Sequence, residues 1–163
     1  MTQAFESVRQ AIYRYARGVD RLDPELIRGA FWPDARVTLG KIYDGDTEGF
    51  VEVAMNFMGM FEATRHDVAN ISFSQDANSI GYEAYVRTWH LQKDRTSELE
   101  VLGRYIGRAE QRGDEWRIAE HGELMDWGAE RSVDAGWFTG NEELEKGERS
   151  HADGSYRWLA ARA

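Results

Sequence analysis

The order of hydrophobic periodicities predicts an α+β fold, with helices first and a curved antiparallel meander second. Three observations carry that expectation. Apolar residues recur at three- and four-residue spacing from Phe5 to Leu22 and again from Phe50 to Phe61; β-type segments follow from about Arg65 to Trp127; and the breaks between those segments are short turn words. A helical layer covering one face of a single sheet is the simplest packing of such elements.

The first helix carries Phe5, Val8, Ile12, Tyr15, Val19 and Leu22 on one stripe, and Gly18 weakens its end. Asp23-Pro24-Glu25 has a capping acid, proline at the first helical position and an acid in the first turn. A second short helix is therefore expected through Ala30 or Phe31, closed by Pro33-Asp34. Arg36 to Gly40 reads as a short strand and Tyr43 to Asp46 as a turn. A third helix, about Thr47 to Phe61, has Phe50, Val51, Ala54, Phe57, Met58 and Phe61 on its apolar side. Four β segments follow, at about Arg65 to Ser74, Ile80 to Gln92, Leu99 to Arg112 and Glu115 to Trp127. The words Gln75-Asp-Ala-Asn78, Lys93-Asp-Arg95 and Gly113-Asp114 between them are turn chemistry, so consecutive antiparallel pairing is expected.

A chain of 163 residues suits one domain, burying roughly 70% of its unfolded surface. Residues 1–127 are expected to form it, with 128–163 as a charged C-terminal extension holding two apolar islands, Gly136 to Gly140 and Ser155 to Leu159. A net charge of −9 repels phosphate backbones and anionic lipid headgroups, so neither nucleic acid nor a membrane is an expected partner. The absence of cysteine removes disulfides, thiolate catalysis and zinc-thiolate sites. The N-terminal residues lack an apolar leader segment, and a cytoplasmic protein is expected. Aromatic residues make up 12% of the chain, which suits either a packed core or a pocket for a flat apolar ligand.

Of the four histidines, His66 opens the strand after the third helix, where imidazole can take and return a proton near neutral pH. The same position suits a hydrogen-bonded structural histidine. Asp20 completes a pair if the helix end meets the strand start, because a carboxylate on one ring nitrogen fixes the tautomer. Periodicity alone puts Asp20 about 110° from the middle of the apolar stripe, on its shoulder, where a solvated acid is the ordinary reading. Tyr15 falls within the stripe, as a core tyrosine or one that meets a ligand. Alternation groups Tyr85, Arg87 and Trp89 on one face of their strand, Val101, Gly103 and Tyr105 on a face of the next, and His121, Glu123 and Met125 on a face of the last. Which faces are concave stays open, and Arg87 with Glu123 reads as a buried pair, a polar pocket wall or a solvated side. His90, His121 and His151 are scattered without metal-ligand spacing, and no nucleotide loop or Gly-x-Ser-x-Gly occurs. No metal and no cofactor are expected.

The words Tyr15-Ala-Arg-Gly-Val-Asp20, Phe31-Trp-Pro-Asp-Ala35, Thr64-Arg-His66-x-x-x-Asn70, Gly113-Asp-Glu-Trp116-Arg-Ile118 and Met125-Asp-Trp127, in this order and spacing, resemble a SnoaL-like protein of the nuclear transport factor 2-like superfamily. The resemblance covers about Ala4 to Trp127. It implies a cone-shaped curved sheet wrapped by three N-terminal helices, with a deep apolar pocket. Within the superfamily the chain is most similar to the group of scytalone dehydratase, hexachlorocyclohexane dehydrochlorinase and bile-acid dehydratase, in which an acid near the end of the first helix pairs with a histidine after the third. Asp20 and His66 match those positions, and Tyr15 matches an assisting tyrosine or lysine. Tyr105 and Trp89, together with Tyr85 and Arg87, fall where such members line the pocket. His121 stands where the dehydrochlorinase has an arginine, a departure that points away from a chlorinated ring.

The function so implied is a cofactor-independent lyase or dehydratase, eliminating water or a small carbonyl from a hydrophobic aromatic, polyketide or steroid-like alcohol. His66, oriented by Asp20, would take the proton while Tyr15 or His121 bonds the departing oxygen. An isomerase or cyclase using the same pocket, and a non-catalytic ligand-binding or scaffold protein, are the alternatives. The resemblance also implies a homodimer or homotrimer; it leaves residues 128–163 unaccounted for, and these read as a lid over the pocket, a subunit contact or a disordered tail.

Overall fold

The computed structural model describes residues 3–159; residues 160–163 of the expected extension lie outside them. Helix α1 (Gln3–Arg21) buries Val8, Ala11, Ile12, Tyr15, Ala16 and Val19 along the expected stripe. Gly18 does not end it. A Cβ there would stand 2.7 Å from Ile27 Cγ1 and 3.2 Å from the Asp23 carbonyl, so the bare Cα is what lets α2 (Pro24–Ala30) fold back against α1. The helix breaks instead at Leu22, whose φ is +50°, and Asp23 caps α2 by accepting from the Glu25 and Leu26 amides at 3.1 and 3.2 Å.

Strand β1 (Phe31–Leu39) begins directly after α2, five residues earlier than Arg36, because Phe31 is wholly buried in the core and draws the chain into the sheet. A short β2 (Tyr43–Gly45) pairs with it, and α3 (Thr47–Gly59), capped by Asp46, carries the chain to the far edge of the sheet. The meander follows as β3 (Phe61–Asp76), β4 (Ser79–Gln92), β5 (Ser97–Arg112) and β6 (Glu115–Ser132). Left-handed residues Ala77, Arg95 and Gly113 sit in its three hairpin turns, each within or beside an expected turn word. The strand order is β2-β1-β6-β5-β4-β3. One pairing departs from the expected antiparallel pattern: β1 runs parallel to β6, with Val37 opposite His121, since β1 arrives from the helical layer instead of a hairpin.

Two bulges curl this sheet. Leu102 pairs with Trp127 and Gly103 with Met125, leaving Asp126 extra; Arg108 pairs with Glu120 and Ala109 with Ile118, leaving Ala119 extra. Glycine marks both bends, for a Cβ would lie 2.4 Å from the Leu124 carbonyl at Gly103 and 2.1 Å from the Glu120 carbonyl at Gly107. The concave side holds the core, where Tyr15, Phe31, Phe50, Tyr105 and His121 meet ring on ring at 5.1 to 6.5 Å. The α+β class stands. Strand β6 continues past Trp127, and beyond it two short helices, α4 (Gly136–Gly140) and α5 (Gly154–Leu159), follow. Among the described residues no helix is long and apolar enough to cross a membrane.

Candidate active site

The end of α1 meets the start of β3, and Asp20 is drawn off its shoulder by three donors. Its Oδ1 accepts from His66 Nδ1 at 2.7 Å and from Thr64 Oγ1 at 3.0 Å, and its Oδ2 accepts from the His66 main-chain N–H at 3.1 Å. Thr64 and His66 alternate on one face of β3, which is why both reach the same carboxylate. A carboxylate with three incoming donors is an acceptor only, so the ring proton sits on Nδ1 and the Nε2 lone pair is the basic one. The His66 side chain is 4% exposed and Asp20's is 14% exposed.

His66 stands on the wall of a cavity of about 440 Å³, a size suited to a small molecule. Val86, Val101, Tyr105 and Leu124 form apolar wall, and the β1–β2 turn, Phe57, Met58 and Met125 contribute around it. Two acid–base groups of the inner strand faces share the cavity with His66, alongside Thr88, Lys41 and Arg104. His90 lies edge to face with the His66 ring at 5.6 Å and stacks on Phe61 at 4.6 Å. Its Nε2 is 3.1 Å from Thr88 Oγ1, whereas its Nδ1 is buried without a partner. Burial, reinforced by His66, pulls the His90 imidazole down to about 4, so it is neutral at neutral pH.

Glu123 is the other. It accepts from the Tyr15 phenol at 2.7 Å and lies 3.5 Å from His121 Nε2, while His121 Nδ1 is 2.8 Å from the Tyr82 phenol. Burial works to raise the Glu123 carboxyl, but His121 and the Tyr15 hydrogen bond outweigh it and hold the group below its usual value, hence ionised. Burial pushes the phenols of Tyr15, Tyr82 and Tyr105 well above theirs, so all three keep their protons.

Asp20, His66 and Tyr105 are thus brought together at the cavity. Tyr15 and His121 are not part of its wall; they lie in the aromatic core behind Glu123 and Tyr105, both of which they touch. The expectation that Tyr85, Arg87 and Trp89 line the pocket is corrected. The alternation was right, but Ile80, Tyr82, Ala84, Val86 and His90 take the inner face of β4, so the three point outward. Tyr85 is 52% exposed, Arg87 pairs with Glu100, and the Trp89 indole donates to Glu98 at 2.6 Å. His90, set aside as scattered, and Glu123, left open among three readings, are the residues the sequence did not single out. The signal for His90 was its phase with Tyr82 and Val86.

The extension returns to this region. Residues 148–156 dock on the end of α1, with the Tyr156 phenol donating to Asp23 Oδ2 at 2.6 Å and His151 Nε2 at 2.9 Å from the same atom.

Residues 2–121 match the SnoaL-like domain model, and the chain belongs to that family. No curated protein matches the chain. Among solved structures, a proposed scytalone dehydratase from Novosphingobium aromaticivorans superposes with a TM-score of 0.71 at 14% identity, over 80% of this chain and 89% of that one. A hexachlorocyclohexane dehydrochlorinase of type 2 gives 0.72 at 16% identity, over 80% and 88%. A protein with a cystatin-like fold from Caulobacter vibrioides gives 0.65 at 15% identity, over 88% and 99%. At these identities the likeness is one of fold.

Proposed function

We propose that this SnoaL-like protein is a cofactor-independent lyase that removes water from a hydrophobic aromatic or polycyclic alcohol carrying a carbonyl β to the hydroxyl. The observation that carries the reading is the 2.7 Å contact between His66 Nδ1 and Asp20 on the wall of a largely apolar cavity. With Nδ1 bound, Nε2 takes the proton from the carbon next to the carbonyl. The electron pair left behind forms the new double bond as the carbon–oxygen bond breaks, and the proton passes from Nε2 to the departing oxygen, releasing water. Asp20 stabilises the imidazolium that exists between those transfers.

The Tyr105 phenol, kept protonated by burial, is the cavity-facing donor for the oxygen on which charge develops. Glu123, ionised, accepts from a substrate hydroxyl and turns it toward His66. His90, neutral and with Nδ1 unpaired, offers a further polar contact. Tyr15 and His121 orient Glu123, a supporting task in place of the direct contact with the departing oxygen read from the sequence. Loss of a small carbonyl and double-bond isomerisation need the same base and donor, and belong to the same proposal.

The test is a panel of bicyclic aromatic β-hydroxy ketones, with dehydration followed by the absorbance of the conjugated product. For a substrate that turns over, His66→Ala is expected to lower kcat at least ~10²-fold while leaving the thermal transition in place. A variant that dehydrates within a few-fold of the parent rate would overturn the reading.

A further inference from the structure

The guanidinium of Arg149, from the C-terminal extension, is inserted beneath the Asp20–His66 pair. Its Nε donates to the Asp20 carbonyl at 3.2 Å; Nη1 donates to the Met58 and Phe61 carbonyls at 2.8 and 2.9 Å; Nη2 donates to the Val19 carbonyl at 3.4 Å and to Thr64 Oγ1 at 3.2 Å. A guanidinium has five N–H groups, and each has an acceptor here. Val19 and Asp20 lie in the last turn of α1 and Met58 in the last turn of α3, where carbonyls lack intrahelical partners and the helix dipole favours a cation. The fifth acceptor is the informative one. Thr64 Oγ1 receives the Arg149 proton and gives its own to Asp20 Oδ1, the oxygen that also holds His66 Nδ1.

We propose that Arg149 is a positioning residue for the Asp20–His66 pair, fixing the backbone that carries Asp20 and committing the Thr64 hydroxyl to its carboxylate. The segment that delivers it is itself fastened. Asp153 Oδ2 accepts from the Glu148 amide at 2.8 Å and its Oδ1 from the Ser155 amide at 3.0 Å, while Arg17 donates to Ser155 at 3.1 Å and stacks over Tyr156 at 4.7 Å. Without the Nη2 donor, Thr64 is free to turn its proton elsewhere, and Asp20 loses a bond that resists its rotation. The extension therefore completes the site from behind, although none of its described residues lines the cavity. This inference rests on the elimination chemistry proposed above for what Arg149 does to rate, but not for what it does to the pair.

The experiment uses the full chain with Arg149→Met and Arg149→Lys. Nitrogen-edited proton spectra follow the far-downfield His66 Nδ1–H, assigned by its disappearance in His66→Gln. The parent is expected to show a slowly exchanging resonance, Arg149→Met to lose it by exchange, and Arg149→Lys, which keeps the charge and brings three donors to five acceptors, to show an intermediate exchange rate. With a dehydrated substrate, kcat should fall about 10- to 100-fold in Arg149→Met with KM within twofold. If the resonance and kcat persist in both variants while only the melting temperature drops, Arg149 merely ties the extension down and the proposal is wrong. Should Arg149→Met fail to fold, the Lys variant decides in the same way, an unchanged resonance and kcat refuting it. If His66→Ala retains turnover, the elimination reading fails while the resonance still reports on Arg149.

Discussion

Replacing Asp20 with asparagine changes one oxygen to an NH2 group, and the surroundings allow no comfortable way to place it. Oδ1 receives the His66 ring and Thr64, and Oδ2 receives the His66 main-chain N–H. If the amide oxygen keeps the Oδ1 position, its NH2 faces a main-chain N–H, donor against donor. If the amide is turned, its NH2 faces His66 Nδ1 and forces the ring proton onto Nε2, removing the lone pair that would take the substrate proton. Both arrangements also remove the charge that stabilises the imidazolium. In histidine–carboxylate pairs the wrong tautomer lowers kcat by up to about 10⁴-fold, near 5 kcal/mol at about 1.4 kcal/mol per tenfold. Asp20→Asn is thus expected to lose 10³- to 10⁴-fold, order-of-magnitude figures on the same basis, with KM little changed because Asp20 is not part of the cavity wall. Steady-state kinetics on the dehydrated substrate measures the loss, and nitrogen NMR of the imidazole reads the tautomer. A rate within tenfold of the parent, whichever tautomer the ring adopts, would refute the reasoning.

Two predictions concern stability. His90 is held near 4 in the folded chain against about 6.5 unfolded, so between those values the unfolded chain binds a proton that the folded one refuses. Stability is full above about pH 6.5 and falls as pH drops toward 4, by roughly 3 kcal/mol in all. Denaturant melts at pH 7 and pH 4.5 should show His90→Gln losing less stability across that interval than the parent, and an equal loss would remove His90 as the cause. Gly107→Ala puts a methyl 2.1 Å from the Glu120 carbonyl and 2.6 Å from the Tyr82 hydroxyl, so backbone must move. A cost of about 1–3 kcal/mol is expected by urea denaturation, and a neutral change would mean the bulge opens freely.

What could be read before the structure followed from periodicity and turn chemistry. The α1 stripe, the Asp23-Pro24 restart, the third helix and three of the four meander strands depend on local patterns, and all lie close to where those patterns put them. The parallel β1–β6 pairing and the two bulges are not local properties. A glycine such as Gly107 announces a bend only once Glu120 is known to lie opposite. Asp20 shows the same limit from the other side: its helical phase said shoulder, and it is the meeting of two elements 44 to 46 residues apart in the chain that makes it an acceptor for Thr64 and His66.

The misplacement of Tyr85, Arg87 and Trp89 has a single physical origin. An aromatic-rich face of a strand and a concave face are different things, and period-2 alternation divides β4 into two sets without saying which is inside. The composition of the sets does contain an answer. Ile80, Tyr82, Ala84, Val86 and His90 include one residue that titrates near neutrality and none that is obligately charged, whereas Tyr85, Arg87 and Trp89 share their face with Glu83, beside the carboxylates Glu98 and Glu100 of β5. A face with obligate charges on two adjacent strands can pair them only toward solvent, where Arg87–Glu100 costs little, since burying such a pair would carry a desolvation cost of several kcal/mol per ion. Glu123 is the exception that marks the cavity. It is a carboxylate on the inner face of β6, supplied with a phenol and an imidazole to hold its charge. Its side chain is 37% exposed, so the charge is held by two buried partners yet stays open to the cavity whose wall it shares with His66.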